Sequence, residues 1–149
     1  MKAVTKKKTA VKRQATKKPE VSYLDKLTAP GRFFKRPDGW VRDNLLGLDW
    51  GPSSNEQMDY ADAEKHCESL GGRLPELSEL HSLVDYKQSN PAINKEFFGD
   101  TKTDDYYWSK TPSLRWSNCA WVVTFYSGSV GYRNKDYTHY VCPVRASQK

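Results

Sequence analysis

The chain has 149 residues, which predicts one domain, and 37% of them are hydrophobic, enough to build a core. Its net charge of +6 comes from residues 1–18, which hold eight Lys or Arg and no acid, so the rest is nearly neutral with sixteen basic and eighteen acidic residues. No apolar run approaches the roughly 18 residues that span a membrane, and the charged start lacks the apolar segment of a secretory signal, so we expect synthesis in the cytoplasm.

Residues 1–20 form a basic arm that we expect to be extended. Its Lys clusters are separated by small residues and Val, with no aromatic residue to help order them. Such an arm is typical of an electrostatic tether to a protein or nucleic acid, or of a solubilising tail. Without aromatic residues, any contact with nucleic acid would be to phosphates. The candidate anchor residues are Lys6, Lys7, Lys8, Lys12, Arg13, Lys17 and Lys18.

A linker over residues 21–31 separates this arm from the body, which we place at residues 32–146. Pro30-Gly31 ends the linker. Residues 33–50 are predicted to form a hairpin or meander, because Pro37-Asp38-Gly39 is a turn sequence between apolar segments.

The next segment predicts a helix over residues 56–70. Ser53 with Glu56, or Ser54 with Gln57, fits a capping box at its start. Its apolar residues recur at helical spacing and predict one buried face, made of Tyr60, Ala63, Cys67 and Leu70.

A second helix follows after Gly71-Gly72, a pair that favours a left-handed helix end. Pro75 suits the first position of this helix because it lacks the backbone N–H that would be unpaired there. Leu77, Leu80 and Val84 form the expected apolar stripe.

The last third of the chain predicts strands. Residues 90–102 look irregular, and strands are expected near residues 106–109, 121–125, 130–133 and 140–145. In the strongest of these, Trp121, Val123 and Phe125 alternate and are predicted to be core. Helices in the middle and strands late predict an α+β fold with a mainly antiparallel sheet and two helices.

A series of short segments along residues 32–146 forms a recognisable pattern. In order they are Asp43-Asn44-Leu45, Gly47-Leu48, Trp50, Ala63, Cys67, Leu70, Arg73-Leu74-Pro75, Glu79-Leu80, Leu83-Val84-Asp85, Asn90-Pro91-Ala92-Ile93, Tyr107-Trp108-Ser109, Ala120-Trp121, Val123, Phe125, Gly128 and Val144-Arg145. With these segments, residues 32–146 resemble the bacterial Lcl C-terminal domain family, a C-type lectin-like group, so the resemblance implies a C-type lectin-like domain whose two ends meet. Two departures stand out, since Asp49 replaces a Met and the closing cysteine has moved by one residue to Cys142, which in a strand reverses its face.

The resemblance also implies a pairing of cysteines. Cys67 would form a disulfide with Cys142, and the alternative is that both are buried thiols that act as small apolar residues. Cys119 has no second partner in either case and is expected to be a free thiol.

Metal and catalytic motifs are missing. The Glu-Pro-Asn and Trp-Asn-Asp motifs of calcium-dependent lectins do not occur, and no His or Cys pair has the spacing of a zinc site. No nucleophile–base pattern or phosphate loop is recognisable. We therefore expect no bound metal, no cofactor and no enzymatic activity.

The C-terminal region has the composition of a binding surface. Six of the nine tyrosines lie in residues 103–140, among Ser, Asn and Arg. Tyrosine provides contact area at a low entropy cost, and the others provide adaptable hydrogen bonds. The alternative is that these aromatics are core, which we expect for Trp108, Trp121 and Phe125. The candidate ligand-binding residues are Trp116, Asn118, Tyr126, Tyr132, Arg133, Asn134, Asp136, Tyr137 and His139.

Together these features predict a non-enzymatic binding module, displayed on a phage or prophage virion as a decoration or adhesin. Its C-terminal loops would bind a glycan or protein, and its arm would attach to the virion or another protein partner. One alternative is an intracellular protein whose arm binds nucleic acid, and another is a secreted bacterial glycan-binding protein. The expected location is the virion or the cytoplasm, and either a monomer or an oligomer fits.

Overall fold

The computed structural model describes residues 19–148, so the anchor residues of the basic arm lie outside the described residues. The described part is α+β with antiparallel sheets, as predicted. None of its helices is long and apolar enough to cross a membrane. The elements in chain order are α1 (Tyr23–Leu27), β1 (Phe33–Lys35), β2 (Val41–Asp43), β3 (Leu48–Trp50), α2 (Tyr60–Ser69), α3 (Leu77–His81), β4 (Tyr106–Pro112), β5 (Cys119–Thr124), β6 (Val130–Asn134) and β7 (Val144–Ala146).

The strands form two antiparallel sheets. A four-stranded sheet has the order β1-β2-β3-β7, and a three-stranded sheet has the order β4-β5-β6. The predicted meander is confirmed, and Gly39 sits in its first turn with a φ of 91°, a value that glycine adopts without a steric penalty. In the second sheet, Gly128 has a φ of 88° in the turn between β5 and β6.

The two ends of the body meet in the four-stranded sheet, as predicted. Strand β7 pairs with β3, which places Val144 opposite Trp50. Val144 also exchanges backbone hydrogen bonds with Arg73, at 2.8 and 2.9 Å, just after α2. The closing strand therefore touches both the first strands and the segment between the helices.

Two helical segments differ from the sequence prediction, one by its presence and the other by its first residue. Helix α1 occupies the predicted linker, where the Ser22 hydroxyl accepts a hydrogen bond from the Asp25 N–H at 3.1 Å. Helix α2 begins at Tyr60, four residues later than predicted, and its N-cap is Asp59, whose carboxylate accepts from the Asp62 N–H at 2.9 Å.

The predicted cap Ser54 has another role. Its hydroxyl donates to the Glu56 carbonyl at 2.9 Å and accepts from the Val141 N–H at 3.0 Å. This buried serine therefore joins the segment before α2 to the closing segment of the chain, and it is not available to cap a helix.

The second predicted helix also starts later than expected, because α3 covers Leu77–His81 with Glu76 as N-cap. The Glu79 carboxylate accepts from the Glu76 N–H at 2.8 Å, which completes a capping box. Pro75 therefore precedes the cap instead of beginning the helix.

Two apolar clusters form the core. One contains Leu80 of α3 with Val123 and Phe125, and the other contains Ala63 and Cys67 of α2 with Val122. Because Val122 and Val123 are adjacent and both fully buried, both faces of β5 are covered at this point.

Three residues predicted to be buried are not fully buried, and one of them, Tyr60, is half-buried against the cluster that contains Cys67. Trp121 is only half-buried, because it lies beyond the edge of the core formed around Val123 and contacts the exposed Tyr132 instead. Leu70 is 40% exposed, since α2 ends at Ser69 and Leu70 is its C-cap.

The predicted disulfide is absent. All three cysteines of the chain lie in the described part, and each is a free thiol, as predicted for Cys119. Cys67 packs in the cluster that contains Val141, whereas Cys142 packs in the other cluster, with its thiol 3.4 Å from the Gly51 carbonyl. The strand predicted over residues 140–145 begins only at Val144, but Val141 and Cys142 still pack in different clusters, so the shift of the cysteine by one residue accounts for the difference.

A buried ion cluster lies on the face of the four-stranded sheet opposite to Leu48 and Trp50, which pack in the core. Asp49, the residue that replaces the family's Met, is fully buried. Its carboxylate lies 3.3 Å from Arg145, 3.5 Å from Arg36 and 3.5 Å from Arg42. It also accepts from the Gln148 N–H at 3.2 Å, so the cluster fastens β7 and the residues after it to the first three strands.

Candidate binding face

Two loops lie side by side at one end of the three-stranded sheet. Residues 113–118 join β4 to β5, and residues 135–139 follow β6. The Lys135 N–H donates to the Asn118 carbonyl at 2.8 Å, and Cys119 is paired with Asn134 across the strands. The register of β5 and β6 therefore brings together two segments that are separate in sequence.

The first loop is ordered by its own hydrogen bonds. The Ser113 hydroxyl accepts from the Trp116 N–H at 3.1 Å, and the Trp116 carbonyl accepts from the Cys119 N–H at 2.9 Å. The indole of Trp116 remains 46% exposed, and the Arg115 guanidinium lies 5.3 Å from its ring centre. The loop thus presents an aromatic side chain from a fixed backbone.

The second loop is ordered in a similar way. Asn134 accepts hydrogen bonds from the Asp136 N–H at 2.9 Å and the Tyr137 N–H at 3.0 Å. His139 fastens the end of the loop, since its Nδ1 lies 2.8 Å from the Asp105 carboxylate and its ring packs against Trp108. Tyr137 is 62% exposed between these two fixed points.

Strand β6 adds side chains beside the loops. Tyr132 is 43% exposed and packs edge-on against Trp121, with the ring centres 5.6 Å apart. The Arg133 guanidinium lies over the Tyr106 ring at 4.4 Å, a cation–π geometry that holds this side chain in place.

Seven of the nine candidate residues therefore lie in or next to these two loops, with the adjacent Tyr132 and Arg133 on opposite faces of β6, and we call the seven the loop face. Two do not belong to it. Tyr126 lies beyond the opposite end of β5, a strand that is roughly 20 Å long, and His139 is buried with 6% exposure. The loop face consists of Trp116, Asn118, Tyr132, Arg133, Asn134, Asp136 and Tyr137.

Sequence reasoning overlooked two features next to this face. Leu114, in the first loop, is 99% exposed. The sequence does contain a signal for this exposure, because Leu114 stands between Ser113 and Arg115 with no apolar residue on either side. Lys135 lies with its amine 4.7 Å from the centre of the Tyr60 ring, a pairing that only the fold reveals.

The electrostatics of the two buried thiols do not favour reactive groups. Burial, reinforced by Glu64 and Glu68, raises the pKa of Cys67 to about 12. Burial also raises the pKa of Cys142 well above its usual range, so both thiols stay protonated at neutral pH.

Within residues 19–148, no group of three or more His, Cys, Asp or Glu side chains is placed to hold a metal ion.

A comparison with known families gives a match over most of the chain. The model of the Lcl C-terminal domain family matches residues 39–145, a span that includes both loops of the loop face. No curated protein matches the chain.

Proposed function

Because the chain belongs to the Lcl C-terminal domain family, we propose that it is a non-enzymatic module that binds a glycan or protein ligand through the loop face. The observation that supports this most directly is the exposure of three aromatic side chains on a backbone fixed by hydrogen bonds. Trp116, Tyr132 and Tyr137 are 46%, 43% and 62% exposed. Rigid exposed aromatics lose little entropy on binding, which is why such residues dominate binding energy at interfaces.

The polar residues of the loop face suit such a role. Asn118 and Asp136 are exposed, and Arg133 is held in place by its contact with Tyr106. An amide and a carboxylate in the same loops as two of the aromatic rings, with a guanidinium on the other face of β6, offer donors and acceptors of several kinds. This combination fits a sugar or a polar protein surface.

The basic arm completes the proposal. Residues 1–18 hold eight Lys or Arg and no acidic residue, so the arm is suited to attach the module by charge. We place the module on a phage or prophage virion, where the arm would attach it and the loop face would point outward as a decoration or adhesin.

The proposal can be tested by measuring how labelled protein binds to a panel of bacterial cells. Trp116→Ala and Tyr137→Ala should each weaken binding by roughly tenfold or more, the loss expected at a true hot spot. Treating the cells with periodate or with protease beforehand distinguishes a glycan ligand from a protein ligand.

The matched control is Tyr126→Ala, which removes a tyrosine that is 55% exposed at the opposite end of β5. It should leave binding unchanged, and all three variants should keep the melting temperature of the original protein. Equal losses in the Tyr126 and Trp116 variants, or no loss in either loop-face variant, would show that the loop face is not the binding surface.

A further inference from the structure

One arginine of the ion cluster leaves its buried nitrogens without hydrogen bonds. The Nε and Nη2 atoms of Arg42 are buried, and neither has a hydrogen-bond partner among residues 19–148. The Nε of Arg36 is in the same condition, but the Nη1 of that side chain donates to the Gln148 carbonyl at 3.0 Å. Buried polar groups in native proteins are nearly always paired, so the state of Arg42 requires an explanation.

The burial of Asp49 does not supply that explanation. The Asp49 carboxylate already accepts from Arg145 Nε at 3.3 Å, from the Ser147 hydroxyl at 3.4 Å and from the Gln148 N–H at 3.2 Å. Arg36 provides a second positive charge at 3.5 Å. Arg42 stays 3.5 Å from the same carboxylate without a hydrogen bond to it. The carboxylate is therefore satisfied without Arg42.

The cluster carries more positive than negative charge. Its three guanidinium groups face two carboxylates, those of Asp49 and Asp38. Asp38 is bound by Arg145 at 2.7 Å, and this hydrogen bond lowers the pKa of the Asp38 carboxyl. With both carboxylates paired, one positive charge is left over, and Arg42 is the arginine with the weakest pairing. A further anion beside Arg42 would therefore be attracted instead of repelled.

An exposed aromatic ring lies next to Arg42. The strand register pairs Phe34 with Arg42, and directly paired residues share a face of the sheet with their Cβ atoms about 5 Å apart. Strand β1 is the outer strand of its sheet, and Phe34 is 55% exposed. The side chain of Arg42 is itself 27% exposed. Solvent therefore reaches a guanidinium and an apolar ring side by side, and we call this pair the Arg42 site.

We propose that the Arg42 site binds a carboxylate carried on an apolar or aromatic group. The planar guanidinium donates two parallel hydrogen bonds to a carboxylate, and the apolar part of the ligand would pack on the ring of Phe34. Turning Nη2 of Arg42 toward the ligand breaks no hydrogen bond, because this atom makes none among residues 19–148. The site lies on the four-stranded sheet and is separate from the loop face, which belongs to the other sheet.

The test titrates the full-length protein with three small probes and follows the Arg42 Nε–H signal by NMR. Benzoate has both the charge and the ring, benzamide has the ring without the charge, and inorganic phosphate has the charge without the ring. Benzoate should shift the signal in a saturable way, and benzamide should not. Phosphate should bind roughly tenfold more weakly, since it cannot bury apolar surface against Phe34.

Variants assign this binding to the two residues. Arg42→Gln should abolish the response to benzoate, read from the backbone amides of β2. Phe34→Ser, at an exposed position, should weaken benzoate roughly tenfold and leave phosphate unchanged. The control is Arg115→Gln, at an exposed arginine that also lies beside an aromatic ring, that of Trp116, and it should change nothing at Arg42.

Thermal unfolding separates binding from a structural role. Arg42→Gln should keep the melting temperature of the original protein, because its buried nitrogens make no hydrogen bond to lose. Arg145→Gln should lower the melting temperature by at least about 4 °C, because it removes contacts with both Asp38 and Asp49. Equal losses in the two variants, no response to benzoate, or equal affinities for benzoate and phosphate would each overturn the proposal.

Discussion

At the scale of single residues, the most informative contact is the buried pair of Arg32 and Asp43. Two guanidinium nitrogens reach the two carboxylate oxygens of Asp43 at 2.8 and 3.0 Å. Arg32 also donates to Ser82, and Asp43 accepts from the Trp50 indole at 3.1 Å. Both charges are therefore satisfied, and one side chain joins α1, the first strands and the end of α3.

Removing one member of this pair should be costly. Arg32→Met leaves a buried carboxylate without its counter-charge, which should lower the free energy of unfolding by about 3–5 kcal/mol. Urea titration measures this change. Arg115→Met, at an exposed arginine, should change it by less than about 0.5 kcal/mol. A similar small effect for both variants would mean that the Arg32 pair contributes little to stability.

The buried thiol of Cys67 makes stability depend on pH at the alkaline end. A thiol in the unfolded chain ionises near pH 9, whereas the folded thiol has a pKa of about 12, so unfolding releases a proton between these values. This contribution is complete below pH 9 and is lost as pH rises toward 12. Burial of Cys142 and Tyr107 raises their pKa values too, which adds to the trend.

The free energy of unfolding should therefore fall as pH increases from about 8 to about 10.5 in urea titrations, with a limiting slope of about 1.4 kcal/mol per pH unit for each proton released. Cys67→Ala will be less stable overall but should show a shallower fall, because one ionising group is gone. Parallel curves for the two proteins would rule out this role for Cys67.

At the scale of elements, helix α2 depends on Asp59 as its N-cap, a residue that the local sequence does not distinguish from Ser53 or Ser54 as a possible cap. Asp59→Ala should lower the free energy of unfolding by about 1 kcal/mol, because the Asp62 N–H loses its acceptor. Asp59→Asn keeps an acceptor and should lose much less. Asp62→Ala, in the same turn, is the control, and an equal loss there would indicate a general charge effect instead of capping.

The prediction of elements succeeded where local pattern decides and failed where distant contacts decide. The strand around Val122 and Val123 and the turns at Gly39 and Gly128 follow from β-branched runs and turn residues. The start of α2 does not, because Ser54 is an equally good local cap. In the structure, the Ser54 hydroxyl instead accepts a hydrogen bond from the Val141 N–H, 87 residues away in sequence.

The loop face was predicted from composition, and its limits were not. The abundance of Tyr and Asn favoured a binding surface in the C-terminal region over the alternative of core aromatics. Separating Tyr126 from Tyr132 requires knowing where β5 ends, and removing His139 requires knowing that Asp105 and Trp108 enclose it. Both facts belong to the register and packing of the sheet.

At the scale of the whole molecule, helix α1 and the loop face lie toward opposite ends of the three-stranded sheet. The loop face adjoins Cys119 at the start of β5. Leu24 and Leu27 of α1 line a groove together with Val84, against which Gly128 packs in the turn after β5 ends. If the segment before α1 attaches the module, as proposed above, the loop face lies at the far end of the sheet from the attachment point.

The ion cluster around Asp49 has a consequence for how this protein can change over evolution. It fastens the first strands to the last one within a single sheet, and the loops of the other sheet take no part in it. Selection can therefore alter residues 114–118 or 135–138 without disturbing the closure of the domain. Descendants of this protein can therefore vary these two loops while the ion cluster keeps the domain closed.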